Sequence, residues 1–329
     1  MRKIIILLIV SIFGFITAIS SYGLPLNYER QVEKHFKVKK GGTLYLKSDR
    51  GSVDIRSHKS EEVDVVVLLE ADTRNKERAE DWFERFDLAF DQRGADVEIL
   101  GRWENGWFHR RNRLKVKFEI RVPKNYNLDI DTAGGSIWVD DLIGDVKLNT
   151  SGGSINLGQI EGPVKAETSG GNISLERATG QAYLHTSGGS ISVGEVDGEL
   201  DAKTSGGSIS VDGVNGDLRA RTSGGGLLLQ GINGNLEAST SGGSIRAEML
   251  KQIEARAELR TSGGSIILTI NPELQADLDA STSGGRIVTD VPLTIKGTFK
   301  KTSIRGKLNG GGELITLRTS GGNIEIRER

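Results

Sequence analysis

The sequence predicts an all-β chain, a single parallel β-helix of roughly 18-residue coils, right-handed, with one N-terminal amphipathic helix as an end cap. Three observations predict it. The first is a repeat: T-S-G-G begins at Thr150, Thr168, Thr186, Thr204, Thr222, Thr240, Thr261, Thr282 and Thr319, with a near-copy, T-A-G-G, at Thr132. Every step from Thr132 to Thr240 is 18 residues and the next two are 21, a fixed period of the kind that marks a solenoid. The second is the pattern inside a unit such as Asp217 to Gly234, where Leu218, Ala220 and Thr222 alternate with Arg219 and Arg221. That is the period of a strand with one buried face. Glycines then break the chain, and a second short strand, Leu227-Leu228-Leu229, follows before the unit closes on Gly231-Ile232-Asn233-Gly234. The third is composition: 44 Gly and 5% aromatic residues suit a thin column of small and aliphatic side chains better than an ordinary globular core.

Charge and cysteine content exclude several function classes. The formal net charge of −1 gives no electrostatic reason for a nucleic acid or an anionic membrane surface as partner. The absence of cysteine rules out disulfides, cysteine-ligated zinc and a lipid-modified N-terminal cysteine.

Residues 1–23 read as a signal peptide. Arg2 and Lys3 precede an apolar run from Ile4 to Ile16, and small residues follow at Ala18, Ser20 and Ser21; these are the n-region, h-region and exit of a secretory signal. Cleavage after Ser20 or after Gly23 fits. An uncleaved anchor is the alternative, although the run falls short of the ~20 residues of a full span. Export makes a nucleotide-using cytoplasmic enzyme a poor reading and places the chain in the periplasm, at the cell surface or outside the cell.

Residues 24–131 form an N-terminal region. Leu44 to Ile55 already imitates the repeat, with Ser48 in the place of Thr and Gly51-Ser52-Val53 matching G-S-I, so it is expected to be the first coil. Val63 to Leu69 is a β-favouring run. From Asp72 to Gln92, Ala79, Trp82, Phe83, Phe86, Ala89 and Phe90 recur at three- and four-residue steps, which predicts an amphipathic helix with an aromatic face. Its expected task is to close the end of the solenoid. Val97 to Trp103 and Leu114 to Val122 are read as a hairpin whose loop carries basic and aromatic residues, among them Trp103, Trp107, Arg110 and Arg111. Such a loop could touch phosphates, anionic lipid or a glycan; a solvated tip with aromatics packed on the helix is the plainer reading.

Residues 132–329 are the repeat array with a closing coil. Pro272 and Pro292 fall in corners, where a missing amide donor does least harm. The end contains a degenerate turn at Thr302-Ser303, a Gly310-Gly311-Gly312 corner and a final copy. The alternating charges of Ile324 to Arg329 are expected on a strand at an exposed end.

Two outer faces follow from the alternation. One column reads Lys147, Lys165, Tyr183, Asp201, Arg219, Glu237, Glu258, Asp279, in which Asp201, Arg219 and Glu237 alternate in sign and attract across ~4.8 Å. The other reads Asn156, Ser174, Ser192, Ser210, then Leu228, Arg246, Ile267 and Val288, flanked by Ser154, Asn172, Ser190 and Ser208. This flat, hydroxyl-rich face is the candidate for binding a glycan or an envelope protein by many weak contacts; the plainer reading is that parallel stacking tolerates small residues there.

Catalytic and metal motifs fail. The calcium β-roll needs G-G-x-G-x-D, and here Ile or Leu follows G-G-x. His35, His58, His109 and His185 show no metal-ligand spacing, and no nucleophile elbow is present. No coil is richer in carboxylates, His and Lys than its neighbours. Catalytic residues, cofactors and metals are therefore assigned to none.

On these residues the chain resembles the bacterial putative-adhesin family of β-strand-repeat cell-envelope proteins, a domain family of unknown function. The resemblance rests on G-S-V-D-I at Gly51 to Ile55, Val122-Pro123, the T-S-G-G-[SN]-I units, and the closing G-K-L-N-G-G-G-E-L-I-T-L-R-T-S-G-G-N-I. It implies an exported β-helix with no catalytic motif to transfer, some relatives being associated with envelope stress responses.

The expected function is a non-enzymatic, exported protein that binds or scaffolds a polymer or protein partner. A polysaccharide lyase or hydrolase, an envelope-stress sensor and an ice-binding surface are the rival readings. Fold alone does not separate them.

Overall fold

A computed structural model describes residues 27–104, 113–249, 256–295 and 300–329; the segment read as a signal peptide lies outside them. Each repeat contributes one strand to each of two sheets. In one coil, Leu200–Lys203 joins sheet B, the T-S-G-G corner turns the chain, and Ile209–Val214 joins sheet A. A second corner leads to Leu218–Arg221, back in sheet B. Neighbouring strands are parallel, with Leu200 opposite Leu218 and Ile191 opposite Ile209. Partners in the regular array are thus 18 positions apart, and each side chain stacks on its own equivalent. Leu200, Ala202, Thr204, Ile209, Val211 and Val214 all point inward and are buried. Each large aliphatic group so removed from water contributes about 1.5–3 kcal/mol against the entropy of ordering the chain. The architecture is all-β with long parallel sheets in repeats.

The Gly corners are tight because backbones stack on one another. A Cβ on Gly207 would lie 2.2 Å from the Gly189 carbonyl oxygen of the coil beneath. Gly207 does not have a left-handed backbone; proximity of the stacked corner is what excludes a side chain.

Both ends depart from sequence order. At the N-terminal end the copy formed by Thr43–Ser48 and Ser52–His58 does stack on the array, with Ser48 opposite Thr132 and Val53 opposite Ile137. A further coil lies outside it: Asp96–Trp103 pairs with Thr43–Ser48, and Leu114–Pro123 pairs with Ser52–His58. Those two later strands therefore belong to different sheets and do not form a hairpin. Their side-chain alternation gave two strands correctly, but alternation carries no information about which strand is the neighbour.

The expected helix over Asp72 to Gln92 is also half a strand. The helix spans Lys76–Arg85, capped by the Asn75 side chain, which accepts from the Arg78 amide. Phe86–Arg93 then extends and pairs antiparallel with Asp96–Trp103. Apolar residues at Phe86, Leu88 and Phe90 fit a strand as well as a helix, and pairing decides. The helix touches the outer strands of both sheets at the N-terminal end. It buries Ala79 and Phe83, and contacts Phe86–Arg93, Glu62–Ala71 and a strand not foreseen in the sequence, Tyr28–Lys37. Arg30 of that strand stacks over Phe83, with its guanidinium 4.9 Å from the ring centre.

The C-terminal end holds the larger surprise. Glu313–Thr319 lies between Ala257–Thr261 and Ala276–Thr282 in sheet B. Ile324–Glu328 likewise lies between Ile266–Ile270 and Ile287–Thr289 in sheet A. The last copy in the sequence is inserted one coil inward, so the alternating charges of Ile324 to Arg329 do not mark an exposed end. Ser303–Leu308, which follows directly from the turn expected at Thr302-Ser303, is a strand antiparallel to Ala276–Thr282. Antiparallel strands thus finish both sheets at the N-terminal end and sheet B at the C-terminal end, while sheet A ends there on the parallel strand Ile287–Thr289.

Candidate functional site

Two kinds of hydroxyl must be separated before either face is read as a surface. The corner residues are structural. Ser190 Oγ accepts from the Ser208 amide at 3.1 Å, Asn172 Oδ1 from the Ser190 amide at 2.8 Å, and Ser154 Oγ from the Asn172 amide at 3.1 Å. The same ladder passes from Ser265 to Asn323 and from Asn323 to Arg286, following the spatial order of coils rather than the chain. These side chains are occupied in holding coil to coil.

The strand residues beside them are free of such duty. Asn156, Ser174, Ser192, Ser210 and Leu228 stand opposite one another in consecutive register on the outer face of sheet A. Ser174 and Ser192 are exposed, and the other three are half-buried. Among the described residues no side-chain hydrogen bond engages Asn156, Ser174, Ser192 or Ser210. Beyond Leu228 the column runs Arg246, Ile267, Glu325, Val288. Glu325 of the inserted copy, paired with Arg327, therefore stands between Ile267 and Val288, which the sequence order made neighbours.

In the other direction the column continues through Trp138 and Asp54 to Glu119. Trp138 is 44% exposed although it sits mid-strand between two paired neighbours. It was missed in the sequence, where the only signal is Trp in S-I-W-V at the place that holds Asn or Ser in the following copies. Around it is a shallow, open depression of about 770 Å³ lined by Ser52, Asp54, Arg56, Lys117, Trp138 and Asn156, among others. Arg56 donates to Asp54 at 3.3 Å, and Lys117 to Glu119 at 2.5 Å.

The outer face of sheet B is a ladder of charge. Lys147 donates to Asp129 at 3.0 Å, and Arg219 lies 3.7 Å from Asp201 and 3.0 Å from Glu237. Hydrogen bonds from Arg221 and then Arg219 hold the Glu237 carboxyl below its usual range. Asp197, at a corner, is held down first by the Asn215 amide and then by Arg177. Thr316 of the inserted copy stands between Glu258 and Asp279 in this column.

Of the other sequence candidates, Trp103 does not join the sheet A column. Trp103 lies in sheet B; its ring packs against the core, 6.2 Å from Phe86, with the Arg50 guanidinium 5.5 Å from its centre. Trp107, Arg110 and Arg111 lie outside the described residues. Among the described residues no three His, Asp or Glu side chains are grouped to hold a metal ion, and no helix is long and apolar enough to cross a membrane.

Comparison with known proteins places the chain. A family model described as Toastrack DUF4097 matches residues 42–327. No curated protein matches. Similar solved structures include one described as a putative adhesin from Bacteroides fragilis, 12% identical, with a TM-score of 0.36 over 91% of this chain and 97% of that one. Another, from Parabacteroides distasonis, is described as a putative lipid binding protein; it is 14% identical, with a TM-score of 0.31 over 91% of this chain and 96% of that one. With its repeats, its paired sheets and a match that runs nearly end to end, the chain belongs to the Toastrack DUF4097 family.

Proposed function

We propose that this protein is an exported, non-enzymatic β-solenoid of the cell envelope, which binds a polymer or protein partner along the outer face of sheet A. With it go right-handed coils of roughly 18 residues, a size supported by the 18-residue offset between paired strands. The observation that carries the proposal is the contrast between two polar ladders two positions apart in the chain. Corner side chains such as Ser190 accept backbone amides, whereas Asn156, Ser174, Ser192 and Ser210 present unused donors and acceptors at one per coil. A surface of repeated, weak, identical contacts suits an extended partner that gains affinity by engaging many at once. Export is supported by the charged, apolar and small-residue sequence of the first 23 residues.

Three carboxylates are tied up in hydrogen bonds and ion pairs. Among the described residues, Asp197, Glu237 and Asp279 are all held below the usual range by hydrogen-bonded partners. A general acid working near neutral pH needs the opposite shift.

The test compares two triple variants in the mature protein. Ser174→Lys, Ser192→Lys and Ser210→Lys together are expected to abolish retention of the partner while costing no more than ~0.5 kcal/mol each. Reversing Asp201, Arg219 and Glu237 as a set keeps their alternation and is expected to leave binding intact. Incubation with a panel of glycans is read separately for retention and for new chain ends. Release of new ends would overturn the non-enzymatic reading, and normal binding by the lysine triple would move the surface elsewhere.

A further inference from the structure

The depression around Trp138 deepens this reading and rests on it, because it lies on the same column as the free hydroxyls. We propose that Trp138 anchors an uncharged glycan chain, one pyranose ring stacking on the indole and the chain running along the coil axis over Asn156 toward Ser174, Ser192 and Ser210.

The chemistry of the patch selects the ligand class. A pyranose ring has an apolar C–H face and a rim of hydroxyls, each able to donate and to accept. Trp138 supplies one broad apolar surface, 44% exposed, with a polar neighbour on each side, Asp54 and Asn156, in strand register. Asn156 carries both donor and acceptor. The Asp54–Arg56 pair adds an acceptor group and a donor group fixed to each other at 3.3 Å.

Charge argues against an anionic ligand. Arg56 is paired with Asp54, Lys117 with Glu119, and Asp140 also lines the depression. Two acids and two bases thus line it, each base already paired with a carboxylate, and a polyanion meets no uncompensated cation here. A lipid surface is disfavoured as well, since a single aromatic ring set among charged and polar groups is no apolar patch. The direction of the chain follows from the free side chains, which repeat once per coil along the axis and thus match a polymer that repeats along the same line.

The experiment is calorimetric titration of the full mature protein with soluble β-1,4-linked oligomers of glucose and of N-acetylglucosamine, and with an oligomer of galacturonate as the anionic control. An uncharged oligomer is expected to bind. Trp138→Ala should weaken it about tenfold or more, as for loss of a central aromatic anchor. Trp138→Tyr, which keeps a ring face and also guards against a folding defect, should stay within about threefold of the parent. Preference for galacturonate, or binding of neither class, overturns this inference, and so does equal binding by Trp138→Ala. If Trp138→Ala binds normally while the lysine triple does not, the face reading stands and the anchor falls. If both variants bind an oligomer as the parent does, both fall.

Discussion

The hydroxyl of Thr204 donates to the carbonyl of Gly189 at 2.7 Å, fifteen residues back along the chain and one coil down. The relationship recurs in the stack, from Thr150 onto Gly135 to Thr222 onto Gly207. It explains the first letter of the repeated T-S-G-G. Thr is β-branched and fits a strand, its methyl fills the narrow core, and its hydroxyl satisfies a carbonyl at the corner beneath. Ser48, in the outlying copy, donates instead to the Arg50 carbonyl of its own turn.

Replacing Thr204 by Val keeps shape and removes the donor. A cost of about 1–3 kcal/mol is expected for the orphaned buried carbonyl. Thr204→Ser keeps the bond and loses a methyl, for about 1 kcal/mol. Urea unfolding midpoints of the two variants and the parent check this; a Thr204→Val midpoint equal to the parent's would show that the hydroxyl contributes nothing beyond its volume.

The two glycines of a corner should respond differently to alanine. A Cβ on Gly153 meets the Gly135 carbonyl oxygen at 2.0 Å, whereas one on Gly152 meets nothing within 4 Å. Gly153→Ala is expected to cost about 2 kcal/mol or more through forced separation of the coils, and Gly152→Ala to stay within ~0.5 kcal/mol. Thermal melts of both, side by side, test it, and similar losses would refute the stacking argument.

The helix Lys76–Arg85 touches strands of both sheets at the N-terminal end, and the end-cap expectation can be tested there. Phe83→Asp puts a charge at a buried position and should loosen the helix from the end. Self-association relative to the parent, measured by light scattering after gel filtration, is the expected result, with the strand content of the array preserved. A variant of unchanged size would mean that the helix is not needed as a cap.

Asp279 holds the inserted copy in place. Its carboxylate accepts from Arg318 at 2.7 and 3.0 Å and lies 3.5 Å from Arg305, so the Arg318 hydrogen bonds, set against partial burial, keep its pKa below the ordinary value. For a carboxyl lowered in the folded state, the stabilisation is fully present above the ordinary carboxylate range near ~4 and is lost as pH falls through the lowered value. Asp279→Asn should remove about 1 kcal/mol at neutral pH and flatten part of the acid limb of a stability–pH curve. An acid limb identical to that of the parent would contradict this.

The sequence by itself determined the coil. A repeat of constant length, with strand alternation inside it, leaves one register in which Thr stacks on Thr and Leu on Leu, so Ser192 beside Ser210 and Asp201 beside Arg219 were legible from residue numbers alone. The Ser and Asn column could be located in this way. Its division into working corner residues and free strand residues could not, because a hydroxyl in a sequence does not state what it bonds.

Only the tertiary structure decided the order of the coils at the ends and the setting of Trp138. The copy at Thr319 matches Thr261 and Thr282 equally well, so local stacking is chemically indifferent to whether it lies inside or outside the copy at Thr282. The choice falls to contacts between distant segments. Arg318 bonds to Asp279, and Ser303–Leu308 pairs antiparallel with Ala276–Thr282, covering the edge that the last copy would otherwise have used. At the opposite end the coil of Asp96–Trp103 and Leu114–Pro123 stacks outside the first copy and brings Lys117 and Glu119 to the tryptophan's side of sheet A. Period fixes what can stack; contacts between segments far apart in the chain fix what does.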